Sequence, residues 1–187
     1  SALAVLSLLA SLALAQEPPK QRARPSREPQ PSAQSSSTLP PPRVSGQIYI
    51  GSSAPNFELE SDTGTRVKLS QLRTTWIVLL FTERDRGLAE YRGLEHDFAA
   101  LGARLVTVCH EKPQTLRVTA RRDSLDFTVL ADLTGEISAV YGLYDRDRSE
   151  VMPGFVVIDR KGILRMALLG RKAPPEDLVA LTREAIE

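Results

Sequence analysis

Residues 76–81, WIVLLF, constrain this chain more than any other stretch. The run is apolar at every position, holds β-branched and aromatic side chains, and is too short for a buried helix. Side chains of a strand alternate between its two faces, so a strand with no polar position has to be covered on both. The run therefore predicts a central strand in a sheet sandwiched by helices. The next nine residues, TERDRGLAE, are polar until a helical pattern starts near Leu88. Open α/β sheets place their chemistry at such a strand–loop–helix junction. A helix N-terminus there offers unpaired N–H groups and the positive end of a dipole, which stabilise a thiolate or an oxyanion. This loop contains Thr82, Glu83, Arg84, Asp85, Arg86 and Gly87, and no Cys, Ser or His.

The elements around this junction follow from periodicity. The domain is expected to open at residues 47–50. Phe57 and Leu59, then Val67 and Leu69, alternate with polar residues around Asp62-Thr63-Gly64, which predicts a hairpin. Ser70 is placed to cap a short helical turn. Leu88, Tyr91, Leu94, Phe98 and Leu101 form one stripe at helical spacing, so a single helix is expected over 88–102, stopping at Gly102. RLVTVC, 104–109, predicts the next strand, parallel to 76–81 through a right-handed crossover. Pro113 starts a helix to about residue 122. A short strand at 127–130, a helix at 133–141 and a buried strand at 155–158 follow. A tight turn then leads into a strand at 163–169, and a last helix opens at Pro174-Pro175. The order is α/β in class: a central mixed β-sheet with helices on both faces and an N-terminal β-hairpin extension.

Residues 1–15 are apolar, too short for an ordinary spanning helix, and end in Ala13-Leu14-Ala15. They are read as a secretory signal peptide cleaved after Ala15, with an uncleaved anchor as the alternative. The expected location is thus exported, periplasmic or extracellular, with no transmembrane helix in the mature chain. Residues 16–46 are rich in Pro, Ser, Gln and Arg and are expected to be a disordered linker. Residues 47–187 remain for one domain, long enough to bury its own core.

The net charge is +1, with signs mixed along the chain, so no nucleic-acid partner is expected. One Cys permits no internal disulfide, and two His residues give no basis for a structural metal site. No phosphate-binding glycine loop is present and no cofactor is expected.

Several motifs carry a family likeness. Gly51-x-x-Ala54-Pro55-x-Phe57-x-Leu59, the turn at Gly64 and Val67-x-Leu69-Ser70-x-Leu72 resemble the opening of peroxiredoxins, the alkyl hydroperoxide reductase and thiol-specific antioxidant proteins. LGARLVTVCHEKP is similar to their second core strand and its loop. FTVLADLTGEISAVYGLY resembles their strand–Asp–turn–helix segment, and MPGFVVIDRKGILR their pairing hairpin. The resemblance spans residues 47–187. It implies a thioredoxin-like fold and thiol-based redox chemistry, with Pro153 where such folds place a cis-proline beside a groove. It also implies a Pro-x-x-x-Thr-x-x-Cys loop at the first helix, and residues 82–90 lack both the Pro and the Cys. The family's helper arginine has no counterpart around Met152, Pro153 and Gly154; Arg148 is the nearest basic residue upstream.

Two readings of function stand. In the first, Cys109, which ends the second core strand at the same sheet edge, is a displaced redox thiol. Arg84, Arg86 and His110 then supply its positive environment or an anion site, and the substrate is a small thiol or peroxide. Strand alternation puts Leu105, Thr107 and Cys109 on one face, and the polar Thr107 predicts looser packing there and a partly buried thiol. In the second reading, Cys109 is an inert core residue, as free cysteines commonly are. The domain is then a non-catalytic module that binds a protein or peptide partner near Pro153.

Overall fold

The structure, a computed structural model, describes residues 46–187. The expected signal peptide and, Gly46 excepted, the expected linker lie outside the described residues.

The central strand forms as its apolar run requires. β3, Trp76–Thr82, is buried at every position from Ile77 to Phe81. Before it come β1, Glu58–Ser61, β2, Arg66–Lys68, and the helical turn α1, Leu69–Leu72. After it come α2, Leu94–Ala100, β4, Ala103–Cys109, α3, Pro113–Arg122, β5, Thr128–Ala131, and α4, Glu136–Val140. A small ribbon of β6, Tyr144–Asp145, and β7, Glu150–Val151, precedes β8, Gly154–Ile158, β9, Leu164–Leu169, and α5, Pro175–Ile186.

Seven strands form the main sheet in the order β2-β1-β5-β4-β3-β8-β9. β3, β4 and β5 run parallel, while β8, β9, β1 and β2 are added antiparallel. The hairpin β1–β2 is therefore continuous with the sheet edge beyond β5. Each face carries its own core. Ile77, Leu79, Phe81, Val106 and Val108 pack with Leu69, Leu72 and Tyr141 on one side. Val78, Leu80, Leu105 and Cys109 pack with Phe98, Leu116 and Leu178, from α2, α3 and α5, on the other. At roughly 1.5–3 kcal/mol per fully buried large aliphatic side chain, these two layers supply the stability of a domain without a disulfide.

Four expectations change. Residues 88–102 are not one helix: Leu88–Tyr91 is a 3-10 turn, Arg92 is extended, and Gly93 sits at φ 88° before α2. Only glycine holds that backbone without strain, and its N–H is taken by Asp126 Oδ1 at 3.0 Å, so the stripe is bent at this residue. Ser70 lies inside α1 instead of capping it; the Gln71 side chain receives the Lys68 N–H at 3.1 Å. α4 starts only at Glu136, because Asp132 accepts the N–H groups of Ile137 and Ser138 and holds 132–135 as a turn. Among the described residues every peptide bond is trans, including the one before Pro153.

Candidate functional site

The parallel register of β3 and β4 sets Thr82 opposite Cys109. Three chain segments are tied together at this edge. The Cys109 carbonyl accepts the N–H of Asp132 at 2.9 Å and of Glu111 at 2.9 Å, and His110 N–H donates to the Thr82 carbonyl at 3.3 Å. The loop that leaves β3 is held by Asp85, whose Oδ2 accepts the buried Thr119 hydroxyl of α3 at 2.5 Å.

Above this edge lies a cleft of about 390 Å³. It is bordered by Leu80, Phe81, Tyr91 and Pro153, of which only Pro153 is not buried, and its cations are Arg84, Arg86 and Lys172. Two of the three are already paired: Arg84 with Glu83 at 3.1 Å, and Lys172 with Glu90 at 2.5 Å. Arg86 is exposed and has no ion pair or side-chain hydrogen bond among the described residues. Tyr91 is fixed by its hydroxyl, which donates to the Ala173 carbonyl at 2.9 Å, and burial pushes its pKa up to about 12.

Cys109 does not reach this cleft. It belongs to the core layer on the face that carries α2, α3 and α5 and has 0% exposure, so the partly buried thiol expected from the sequence is corrected to a sealed one. The polar Thr107 did not loosen that face; it is buried as well, and its hydroxyl has no hydrogen-bond partner. Burial is the main cause that pushes the Cys109 thiol up to about 12. The Thr82 hydroxyl offsets part of the rise, and it is itself buried without a hydrogen-bond partner. The charges that act on the sulfur are Asp85, Glu111 and Asp132, which all raise the pKa further. Arg84, Arg86 and His110, expected to lower it, are not among them. His110 stands edge-on to Tyr144, with centroids 5.9 Å apart, and Arg148 pairs with Asp145 at 3.4 Å.

The structure thus brings Arg84, Arg86 and Pro153 into one cleft and leaves Cys109 and His110 outside it. Lys172 and Tyr91 were missed as cleft residues. Tyr91 has the spacing of a core residue, and Lys172 is 82 positions from its partner Glu90, so no local pattern joins them. Among the described residues, no cluster of His, Cys, Asp or Glu is arranged to hold a metal ion, and no helix is long and apolar enough to cross a membrane.

A mixed sheet covered on both faces, with a cleft where its central strand ends, defines a thioredoxin-like α/β protein. The chain belongs to the AhpC/TSA family, which residues 50–167 match. It is 30% identical over 143 residues to peroxiredoxin-2 of Rattus norvegicus, a match that covers 65% of this chain and 70% of the rat protein. Chloroplastic peroxiredoxin Q of Triticum aestivum is 25% identical over 152 residues, which cover 77% of this chain and 69% of the wheat protein. Among solved structures, peroxidoxin BcpB of Mycobacterium tuberculosis superposes with a TM-score of 0.67 at 23% identity, covering 75% of this chain and 99% of that one. AhpC of Enterococcus faecalis gives 0.66 at 16% identity, covering 73% and 91%. The two structural likenesses concern the fold alone.

Proposed function

We propose that this chain is an exported peroxiredoxin-fold protein in which binding has replaced thiol catalysis: a non-catalytic module that holds a peptide or protein partner in the cleft beside Pro153. One observation carries the reading. The only cysteine in the sequence is fully buried and does not line the cleft. A peroxidatic thiolate has to be ionised, accessible and aimed at the O–O bond. Cys109 has acidic neighbours and a pKa raised to about 12, which opposes ionisation. The loop 82–90 offers no substitute nucleophile. Export rests on the apolar residues 1–15 and their Ala13-Leu14-Ala15 ending.

The test is steady-state consumption of hydrogen peroxide with dithiothreitol as reductant, comparing the wild type with Cys109→Ser. Both are expected to match the rate of reductant alone. Rapid turnover abolished in Cys109→Ser would overturn the proposal and make Cys109 the nucleophile.

A further inference from the structure

We propose that the outer edge of β9 docks an extended segment of a partner chain, added antiparallel as one more strand: a short apolar stretch preceded by an acidic residue. The proposal goes beyond the cleft reading and does not depend on it. β9 is the last strand of the seven, so one of its edges has no neighbouring strand. The protein's own chain covers the start of that edge. Gly51 N–H donates to the Leu164 carbonyl at 2.8 Å, Leu164 N–H donates to the Ser52 carbonyl at 2.9 Å, and Ser53 bridges Ile163 in antiparallel sense. Upstream of Gly51 a turn, closed by Ser52 N–H on the Tyr49 carbonyl at 3.1 Å, ends this cover. From Met166 to Leu169, β9 pairs with β8 alone among the described residues. A bare strand edge presents unpaired N–H and C=O groups, and proteins blunt such edges with charge, proline, a bulge or a cover. β2, at the opposite edge, has three residues, two of which are Arg66 and Lys68. Met166-Ala167-Leu168-Leu169 has no charge and no proline, and the bulge lies at the start of β9, opposite Val157 and Ile158.

The side chains define what kind of segment fits. Met166 and Leu168 are half-buried against the core layer of Phe98 and Leu178, and Ala167 against the layer of Leu79 and Tyr141. Leu169 is 39% exposed. Both core layers thus reach this edge with apolar groups partly in water, so an added strand is stabilised by apolar residues on both its faces. Charge separates a partner from a second copy. Arg165 is held by Asp159 at 2.6 Å, while Arg171, exposed and just past the strand, has no ion pair among the described residues. Two copies joined antiparallel, Met166 against Leu169, would set Arg165 of each beside Arg171 of the other, and like charges in such positions oppose pairing. A partner segment that begins with Asp or Glu meets Arg171 instead, since the start of an antiparallel strand lies at the end of β9.

The probe is the peptide acetyl-Glu-Val-Ile-Val-Thr-Gly-amide, titrated into the full chain by isothermal calorimetry, with amide hydrogen exchange to locate it. The peptide is expected to bind and to slow exchange within residues 164–170, leaving the loop 82–87 unchanged. The same peptide N-methylated at both Val residues and at Ile keeps its side chains, lacks the donors of an added strand, and is expected not to bind. Arg171→Gln, or Gln in place of the peptide's Glu, is expected to weaken binding about two- to fivefold, the worth of an exposed ion pair. Arg171→Gln should unfold at the wild-type urea midpoint. Binding that survives N-methylation, protection at 82–87 in place of 164–170, undiminished binding by Arg171→Gln, or no binding at all would each overturn the proposal. So would a concentration-dependent dimer in sedimentation whose exchange is slowed at 164–170, because the edge would then belong to a second copy. The peroxide assay bears on the cleft reading alone, so the two can fail separately.

Discussion

Asp85 is the joint between the cleft loop and the body of the domain, and removing it has a cost that follows from geometry. Its Oδ2 accepts the Thr119 hydroxyl at 2.5 Å, and Thr119 is 1% exposed. Asp85→Ala deletes a hydrogen bond to a charged acceptor, worth about 1.5–3 kcal/mol net. It also leaves a buried hydroxyl without its partner. Thr119 lies in α3 and can turn its hydroxyl to the carbonyl of Thr115, one helical turn back, which limits the loss. The expected destabilisation is therefore about 1–2 kcal/mol. With a urea dependence of about 2 kcal/mol per molar, the midpoint falls by about 0.5–1 M. Thr119→Val should cost less, because the half-exposed carboxylate it abandons regains water. The double variant should show a coupling of about 1 kcal/mol, since the two side chains share one contact. The assay is urea unfolding followed by circular dichroism for all four proteins. An Asp85→Ala midpoint within 0.1 M of wild type, or additive single effects, would refute the claim that this contact anchors the loop.

Acid dependence should show at Asp159. Burial pushes its carboxyl up, but the N–H groups of Ile163 and Lys161 and the Arg165 guanidinium outweigh that and hold it below the ordinary range. A lowered folded pKa means that stability is fully present above the unfolded value, near 4, and is lost as pH falls through the folded value; the penalty of Asp159→Asn in urea unfolding should accordingly be larger at pH 7 than at pH 2.5. Gly135→Ala should destabilise by about 1–3 kcal/mol, because the residue sits at φ 69° and a Cβ would meet the Tyr144 ring. Adding Tyr144→Ala should remove the steric part and leave the backbone part, measured as incomplete recovery of the urea midpoint.

What the sequence disclosed divides along physical lines. Strands and helices whose apolar pattern is long were legible: WIVLLF became β3, RLVTVC became most of β4, and Pro113 opens α3 where a proline belongs. The alternation that put Cys109 on the face of Leu105 also holds. Its burial did not follow from alternation, because what covers a strand face is decided by helices distant in sequence. Cys109 is sealed in the layer to which α2, α3 and α5 contribute Phe98, Leu116 and Leu178, and a polar Thr107 is buried as well. The broken helix at Gly93 was hidden for the opposite reason. A stripe of apolar residues stays in phase across a glycine, while the Asp126 contact that fixes the break comes from far along the chain. The ribbon β6–β7 has two residues per strand, too few for any periodicity. At the cleft, Arg84 and Arg86 were visible because they follow the central strand. Lys172 and the Asp85–Thr119 contact were not, since both are tertiary pairings between segments with no shared local signal.

The measurement that bears most directly on the sealed thiol is its labelling rate in the native full chain. At pH 8 an ordinary cysteine, pKa about 8.5, is about one-quarter thiolate. A thiol raised to about 12 is about one part in ten thousand thiolate at that pH. Ionisation alone thus slows iodoacetamide by about three orders of magnitude relative to a peptide thiol. Full burial slows it further, to the rate at which the core opens. The expected result is native labelling of Cys109 at least a thousandfold slower than that of glutathione, rising to the glutathione rate in denaturant. Native labelling within tenfold of glutathione would contradict the account, because it would put an ionisable, accessible thiol at the edge of the cleft.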